Sequence, residues 1–273
     1  MHLAFIGCGV MGEAMVAGLL QNDIVNPADI AASHPRDTRR RELTERYGVK
    51  TFEANADAAR FVAGKPNSAI VICVKPQRLQ KVFIDLTGLL HPDQLIISIV
   101  AGATIETLAS ELGTAKVVRA MPNTPSQIGA GITAWTCTVA VNDSERHEVG
   151  RMLSALGKEL FVETENMIDM ATSLSATGPT YIFMVMEALT DAGVHLGFSR
   201  DMAKELVQET MLGSVKFAIE SGKHPAELRN MVTSPGGTSA EAIYQMEKGA
   251  LRTVLSKAVY SAYTRAVELG KKG

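Results

Sequence analysis

Cysteine, net charge and long apolar runs are all scarce in this chain, and each shortage removes a class of protein. Its 273 residues include three cysteines, Cys8, Cys73 and Cys137. They are odd in number, scattered, and set in apolar or glycine-rich surroundings, which suits reduced core thiols. The pattern excludes a disulfide framework and a cysteine metal site, so neither metal nor disulfide is expected. A net charge of -2 leaves no electrostatic footprint for nucleic acid. No stretch is long and apolar enough to cross a bilayer. The run from Leu3 to Leu20 comes nearest, but no basic region precedes it, Glu13 interrupts it, and Gly7, Gly9 and Gly12 weaken it as a membrane helix or signal core. The expectation is a soluble, cytoplasmic protein with no membrane or nucleic-acid partner.

What the chain does have is a buried strand, Leu3 to Ile6, running straight into G-C-G-V-M-G at Gly7, Cys8, Gly9, Val10, Met11 and Gly12. A helical pattern follows from Glu13 to Gln21. Strand, glycine turn and helix in that order point to a dinucleotide site, the alternative being a glycine turn with no ligand. Gly7 makes the tight turn, Gly9 lets the backbone approach a pyrophosphate, and Gly12 lets the helix pack closely on the strand, with phosphate at the helix N-terminus.

Short β-rich runs alternate with helical patterns up to about Val162, whereas nearly everything beyond Asn166 reads as helix. The spacing predicts strands at Leu3–Ile6, Ile30–Ser33, Ala69–Val74, Leu95–Ile99, Lys116–Arg119, Ala134–Val141 and Glu159–Val162. The fold class is therefore an α/β Rossmann-like, doubly wound and mostly parallel sheet over residues 1–164, followed by an all-α domain over 165–273.

Ligands of such sheets bind beyond the carboxyl ends of the strands. The second strand ends at Ser33 without the acid that would hold the ribose 2′-hydroxyl of NAD. Ser33 and Arg36 instead offer a hydroxyl and a guanidinium to a 2′-phosphate, so NADPH is the preferred cofactor, with NADH possible. Arg39, Arg40 and Arg41 either assist or form a solvated helix face. Other strand ends carry Cys73-Val74-Lys75-Pro76-Gln77, Val100-Ala101-Gly102 and Arg119-Ala120-Met121-Pro122-Asn123-Thr124-Pro125. Lys75 and Arg119 are read either as bordering the nicotinamide or as solvated charges.

In the second half, Gly178 to Gly197 opens with a proline in helix-starting position and is apolar on nearly every face. It must be buried on all sides, and about a hundred residues can hardly enclose it alone, so a dimer with interleaved helices is expected. Met184, Met186, Met202 and Met211 read as core or interface filler, and His195 and His224 as packing or surface residues. Further on, Ser234-Pro235-Gly236-Gly237-Thr238-Ser239 precedes a helix, with Thr238 and Glu241 at capping-box spacing. Free amides, the helix dipole and the hydroxyls of Ser234, Thr238 and Ser239 read either as an anion site for a small carboxylate or as a well-capped helix start with no ligand.

Over almost its whole length the chain resembles the pyrroline-5-carboxylate reductases. The resemblance rests on G-C-G-V-M-G, V-K-P-Q at Val74–Gln77, R-A-M-P-N-T-P at Arg119–Pro125, G-P-T-Y at Gly178–Tyr181 and, above all, S-P-G-G-T-S at Ser234–Ser239. It implies hydride transfer from NAD(P)H to the cyclic imine 1-pyrroline-5-carboxylate, giving proline, in a homodimer that often assembles into larger rings. It also implies that Gly7, Cys8, Gly9, Val10, Met11 and Gly12 contact the pyrophosphate. Ser33, Arg36 and Asn55 then meet the adenosine end, and Val74, Lys75, Pro76 and Ala101 border the ribose and nicotinamide. Ser234, Gly236, Gly237, Thr238 and Ser239 hold the substrate, with Ser239 or Thr238 as the catalytic hydroxyl. Two departures stand out: Ala176-Thr177-Gly178-Pro179 where the family usually has G-S-G-P, and Ser239 where threonine is common. Both keep a hydroxyl.

Three rivals share parts of this plan. A 3-hydroxyacid dehydrogenase uses a lysine on its long helix as acid and base, and this chain has no lysine between Lys158 and Lys204. A reductase of another cyclic imine differs only in pocket shape. A non-catalytic nucleotide sensor would be expected to lose the anion loop, which is intact here.

Overall fold

A computed structural model of the chain describes residues 1–270. Eight strands form one sheet: β1 (His2–Ile6), β2 (Ile30–Ser33), β3 (Lys50–Phe52), β4 (Ser68–Ile72), β5 (Leu95–Ser98), β6 (Val117–Met121), β7 (Gly131–Cys137) and β8 (Gly157–Phe161). Their order is β3-β2-β1-β4-β5-β6-β7-β8. Every neighbouring pair is parallel except β6 with β7. The reversal of strand order on either side of β1 is the switch point at which such sheets bind ligands.

β1 and β4 read as continuous apolar runs because both faces are covered. One core, containing Leu3, Phe5, Met15, Leu19 and Trp135, fills one face. A second, containing Ala4, Ile6, Val62, Phe83 and Leu108, fills the other. The covering helices are α1 (Val10–Gln21), α2 (Asp37–Tyr47), α3 (Asn55–Val62), α4 (Leu79–Leu86), α5 (Ile105–Leu112) and α6 (Asp143–Ser154). Local signals set their ends. Thr104 caps α5 by accepting from the Thr107 amide, α6 opens on an Asn142–Glu145 capping box, and α2 and α5 stop at left-handed Gly48 and Gly113.

Several expectations shift. β3 adds a strand that the sequence pattern does not predict, because three residues at the sheet edge are too few to show alternation. The strand expected over Ala134–Val141 begins earlier and ends at Cys137, since Thr138 turns to accept and donate at the neighbouring loop.

The described residues divide into two compact units, 1–177 with 261–270, and 178–260. The helix α7 (Asn166–Ala171) and the π turn Thr172–Ala176 thus stay with the sheet, where Ile168 is fully buried beside Met121, Ala134 and Val162. The expected division between 164 and 165 falls just ahead of them.

The second unit is helical: α8 (Gly178–His195), α9 (Arg200–Ser221), α10 (Pro225–Met231), α11 (Thr238–Lys248) and the first half of α12 (Leu251–Gly270). α8 and α9 approach closely at Gly193, where an added Cβ would lie 2.9 Å from the Ala203 Cβ. In the single chain α8 has no buried residue, and Ile182, Phe183, Met184 and Leu189 are exposed. One subunit alone thus leaves α8 uncovered, as expected of a helix that about a hundred residues cannot enclose. His224, read as packing or surface, caps α10 by accepting from the Ala226 amide. Among the described residues no helix is long and apolar enough to cross a membrane.

Candidate active site

The glycine turn between β1 and α1 divides its work among three glycines. Gly7 sits at φ 76°, in the left-handed region that disfavours a side chain, and an added Cβ there would collide with Val74 Cγ1. At Gly12 an added Cβ would lie 2.8 Å from Cys73 Sγ and 3.2 Å from Cys8 Sγ, so the absence of a side chain lets α1 sit down on the ends of β1 and β4. At Gly9 it would meet nothing nearer than the Gly7 carbonyl at 3.8 Å. The space above Gly9 is open, which fits a pyrophosphate passing over it.

The amides sort in the same way. Cys8 N–H donates to the Ser33 carbonyl at 2.8 Å, and Gly9 N–H to the Gly7 carbonyl at 2.7 Å. The first bond of α1 is Glu13 N–H to the Gly9 carbonyl. The amides of Val10, Met11 and Gly12 precede it and have no intrahelical acceptor. They are the amides of the turn left available to an anion, while those of Gly7 and Cys8 are used within the fold.

Beneath the turn, burial pushes the Cys8 thiol up to about 12 and the Cys73 thiol well above its ordinary value. Both are neutral core groups. Glu13 clamps α1 to α2: it accepts from Arg39, from Arg46 at 2.8 Å and from Tyr47 at 2.9 Å. Burial opposes its ionisation, but the hydrogen bonds from Arg39 and Tyr47 outweigh that and hold the carboxyl below its usual range.

At the end of β2, Ser33 is fully buried. Its hydroxyl accepts from the Gly7 amide at 3.0 Å and donates to Asn55 Oδ1 at 2.7 Å, so it is not the free hydroxyl the sequence suggested. Arg39 is spent on Glu13 and Glu42. Arg40 donates to the carbonyls of His34 and Pro35 at 2.9 and 3.0 Å and also pairs with Asp37 and Glu53, and Arg41 pairs with Asp37. Arg36 is exposed and, among the described residues, its guanidinium joins no ion pair. Its backbone amide donates to His34 Nδ1 at 3.1 Å. Burial and then the Arg36 charge depress the His34 basicity, so the imidazole is neutral at pH 7.

Around the later strand ends, Val74 leans on Gly7, Lys75 is exposed and Pro76 opens a single 3-10 turn. Ala101 packs on the cluster of Met121, Ala134, Val162 and Ile168. Gly102, at φ 77°, lies against Leu269 and Gly270 of α12. Arg119 corrects one expectation outright. It is 1% exposed, with Nη1 donating to Glu165 at 2.8 Å and Nη2 to Asp169 at 2.6 Å. It is neither a solvated charge nor a free one.

In the second unit, Gly236 at φ 70° turns the chain into α11, whose N-cap is Gly237 rather than Thr238. The expected Thr238–Glu241 capping box therefore does not form. Thr238 is already the first helical residue, and Glu241 accepts from Gln245 instead. The first helical bonds are those of Ala240 and Glu241 to the Gly237 carbonyl. This leaves the amides of Thr238 and Ser239 without acceptors, and among the described residues the hydroxyls of Ser234, Thr238 and Ser239 make no internal hydrogen bond. Thr177, of the departure from G-S-G-P, donates to the Thr172 carbonyl at 2.9 Å across the π turn. The sequence held no signal for that turn.

A doubly wound sheet with a glycine turn at its switch point, followed in sequence by a helical half, is the plan of a two-domain nucleotide-dependent oxidoreductase. Residues 2–102 match the family model described as NADP oxidoreductase, coenzyme F420-dependent, and residues 165–269 match pyrroline-5-carboxylate reductase dimerisation. The chain is 36% identical to the pyrroline-5-carboxylate reductase of Synechocystis, covering 99% of both chains. It is 35% identical to that of Escherichia coli, covering 99% of this chain and 97% of the other. Among solved structures, that of the enzyme from Coxiella burnetii matches with a TM-score of 0.87 at 34% identity, covering 98% of each chain. The Plasmodium falciparum enzyme with NADP bound matches at 0.86 and 29%, covering 99% and 98%. This chain belongs to the pyrroline-5-carboxylate reductase family.

Proposed function

We propose that the protein reduces 1-pyrroline-5-carboxylate to L-proline as a cytoplasmic homodimer, using NADPH in preference to NADH. The observation that carries the substrate reading is the turn before α11. Two amides without acceptors and three uncommitted hydroxyls gather at the positive end of an 11-residue helix, an arrangement suited to a single small carboxylate.

The reduced nicotinamide, when bound, supplies the hydride that the imine carbon accepts. The amides of Val10, Met11 and Gly12 hold the pyrophosphate, with Gly7, Cys8 and Gly9 shaping the turn. Arg36 reads the 2′-phosphate, Ser33 and Asn55 line the adenosine end, and Val74, Lys75, Pro76 and Ala101 border the ribose and nicotinamide. Ser234, Gly236, Gly237, Thr238 and Ser239 hold the substrate carboxylate. The ring nitrogen brings its one proton with it as the protonated imine, so hydride addition to the carbon alone turns the C=N bond into a secondary amine, and the Ser239 or Thr238 hydroxyl orients that nitrogen. A protonated imine is already electrophilic, so fixing two reactants in register supplies most of the rate.

The test is loss of nicotinamide absorbance on mixing purified protein with pyrroline-5-carboxylate, run with NADPH and NADH and with a six-membered imine as competitor. Rapid turnover of the five-membered ring, faster with NADPH at low concentration, is the expected result. NADPH binding without turnover would transfer the weight to another cyclic imine or to a nucleotide-sensing role. Sedimentation at several protein concentrations separates a dimer from a ring of dimers.

A further inference from the structure

Asp85, on α4, lies outside every motif named above, yet it terminates a hydrogen-bond chain that begins on the glycine turn. Gly7 N–H donates to Ser33 Oγ at 3.0 Å, Ser33 O–H donates to Asn55 Oδ1 at 2.7 Å, and Asn55 Nδ2 donates to Asp85 Oδ2 at 2.8 Å. Lys81, one turn earlier on α4, donates to Asp85 Oδ1 at 3.2 Å. The links join β1, β2, α3 and α4 in one line.

The direction of this line is dictated from its far end. An amide side chain can be turned end for end and a hydroxyl can rotate, so Asn55 and Ser33 alone do not choose who donates. An ionised carboxylate only accepts. Asp85 therefore draws the Asn55 NH2 toward itself, which turns Oδ1 to Ser33 and claims the single hydroxyl hydrogen. The rival acceptor for that hydrogen, the Phe5 carbonyl, stands at 3.5 Å, a far weaker bond. A lone pair of Ser33 Oγ is then left to receive Gly7 N–H.

Two consequences reach the adenosine end. Ser33, fully buried and with its hydrogen committed, has none to give a ligand. Asn55 keeps the second hydrogen of its Nδ2, so it meets the cofactor as a donor, suited to a ribose oxygen or an adenine ring nitrogen.

We propose that Asp85 is a positioning residue for the cofactor: it polarises the Asp85–Asn55–Ser33–Gly7 line so that Asn55 presents a donor and Gly7 is held in its left-handed turn. The proposal rests on the dinucleotide reading of the glycine turn. Asp85 is partly exposed, at 23%, so its loss strands no buried charge, and its pairing with Lys81 is of the surface kind that contributes little to stability.

The experiment is fluorescence titration of NADPH onto the purified full-length protein, with steady-state kinetics and thermal melting beside it. Asp85→Ala should weaken NADPH about tenfold, the loss of one charge-assisted hydrogen bond, while kcat at saturating NADPH and the KM for the imine stay within about twofold, since one pre-organising contact at the adenosine end is lost and the reacting groups are untouched. Asp85→Asn, which keeps the shape but no longer dictates the amide direction, should weaken NADPH in the same sense. It also serves as the folded control should the alanine variant melt early. In an Asn55→Ala background the Asp85→Ala change should add no further loss. Unchanged NADPH affinity in both Asp85 variants, or an equal loss with and without Asn55, would overturn the proposal while leaving the cofactor assignment standing. A folded wild-type protein that does not bind NADPH would overturn the dinucleotide reading and this inference with it.

Discussion

Replacing Arg119 with methionine should be among the most damaging single changes in the sheet unit that touch no ligand. The side chain enters the interior from β6 at 1% exposure and joins two carboxylates of the segment that follows β8. Glu165 Oε1 also accepts the Ile105 amide at 2.7 Å, so the same carboxylate ties down the start of α5 just beyond the Val100–Gly102 loop. Removing one partner of a fully buried pair costs about 3–5 kcal/mol. Glu165 and Asp169 are 31% and 16% exposed, so water partly rehydrates them and the lower end applies. Methionine also relieves a buried Arg119 Nε that has no partner. The balance is a loss of about 3 kcal/mol, or roughly 9 °C in melting temperature for a chain of this size. Urea unfolding followed by far-UV circular dichroism reads it. The sharper measurement adds Glu165→Gln and Asp169→Asn, which remove the two charges left facing each other and should recover at least a third of the loss. A single variant within about 1 kcal/mol of wild type, or a triple variant no better than the single, would refute the view that the triad acts through paired charge.

Ser239→Ala should lower kcat about a hundredfold, on the scale of other lost site donors, while the NADPH dissociation constant stays within about twofold; equal losses in both would remove its assigned role. Arg36→Ala should weaken NADPH about tenfold to a hundredfold, the loss of charge-assisted hydrogen bonds to a phosphate, and leave NADH nearly unchanged, as parallel KM measurements would show. Gly12→Ala, whose methyl would press on Cys73 Sγ at 2.8 Å, should lift α1 and cost about 1–3 kcal/mol in unfolding experiments. For Cys8 the folded thiol is raised to about 12 from an ordinary 9.0, so its contribution to stability is fully present below pH 9 and is lost as pH rises toward 12. Stability measured from pH 8 to 11 should fall less steeply in Cys8→Ala than in wild type, compared from each protein's own pH 8 value.

Much of the architecture was legible because its signals are local. The apolar runs of β1, β4 and β5 are buried on both faces, so their residues announce strands without reference to distant partners. Gly7, Gly9 and Gly12 carry their separate roles in their spacing. What could not be read depends on partners far apart in sequence. Arg119 meets acids 46 and 50 positions away, Ser33 is claimed by Asn55 and Gly7, and Asp85 reaches the cofactor turn only through both. The turn before α11 shows the limit within a motif: Thr238 and Glu241 have the right spacing for a capping box, yet Gly236 in the left-handed region starts the helix one residue early and moves the cap to Gly237.

The largest titration shifts in this chain fall on buried thiols, and the proposed chemistry explains why a ligand group need not carry one. Sites that move protons in the rate-limiting step hold acids and bases whose ionisation is tuned toward neutrality, which makes them visible as shifted groups. Here the large shifts fall on Cys8 and Cys73, which are simply buried; other groups shift as well, among them the Glu13–Arg39–Arg46–Tyr47 clamp that fastens α1 to α2, together with His34, Cys137 and Tyr181. The polar groups assigned to the ligands are amides, hydroxyls, the exposed Arg36 guanidinium and the exposed Lys75 ammonium, none of which needs a tuned ionisation. Hydride transfer to an imine that arrives already protonated asks for position and for an anion held still. In the proposed reading a backbone turn at a helix start provides both, which places the functional signal of this chain in its glycines and hydroxyls rather than in its acids and bases.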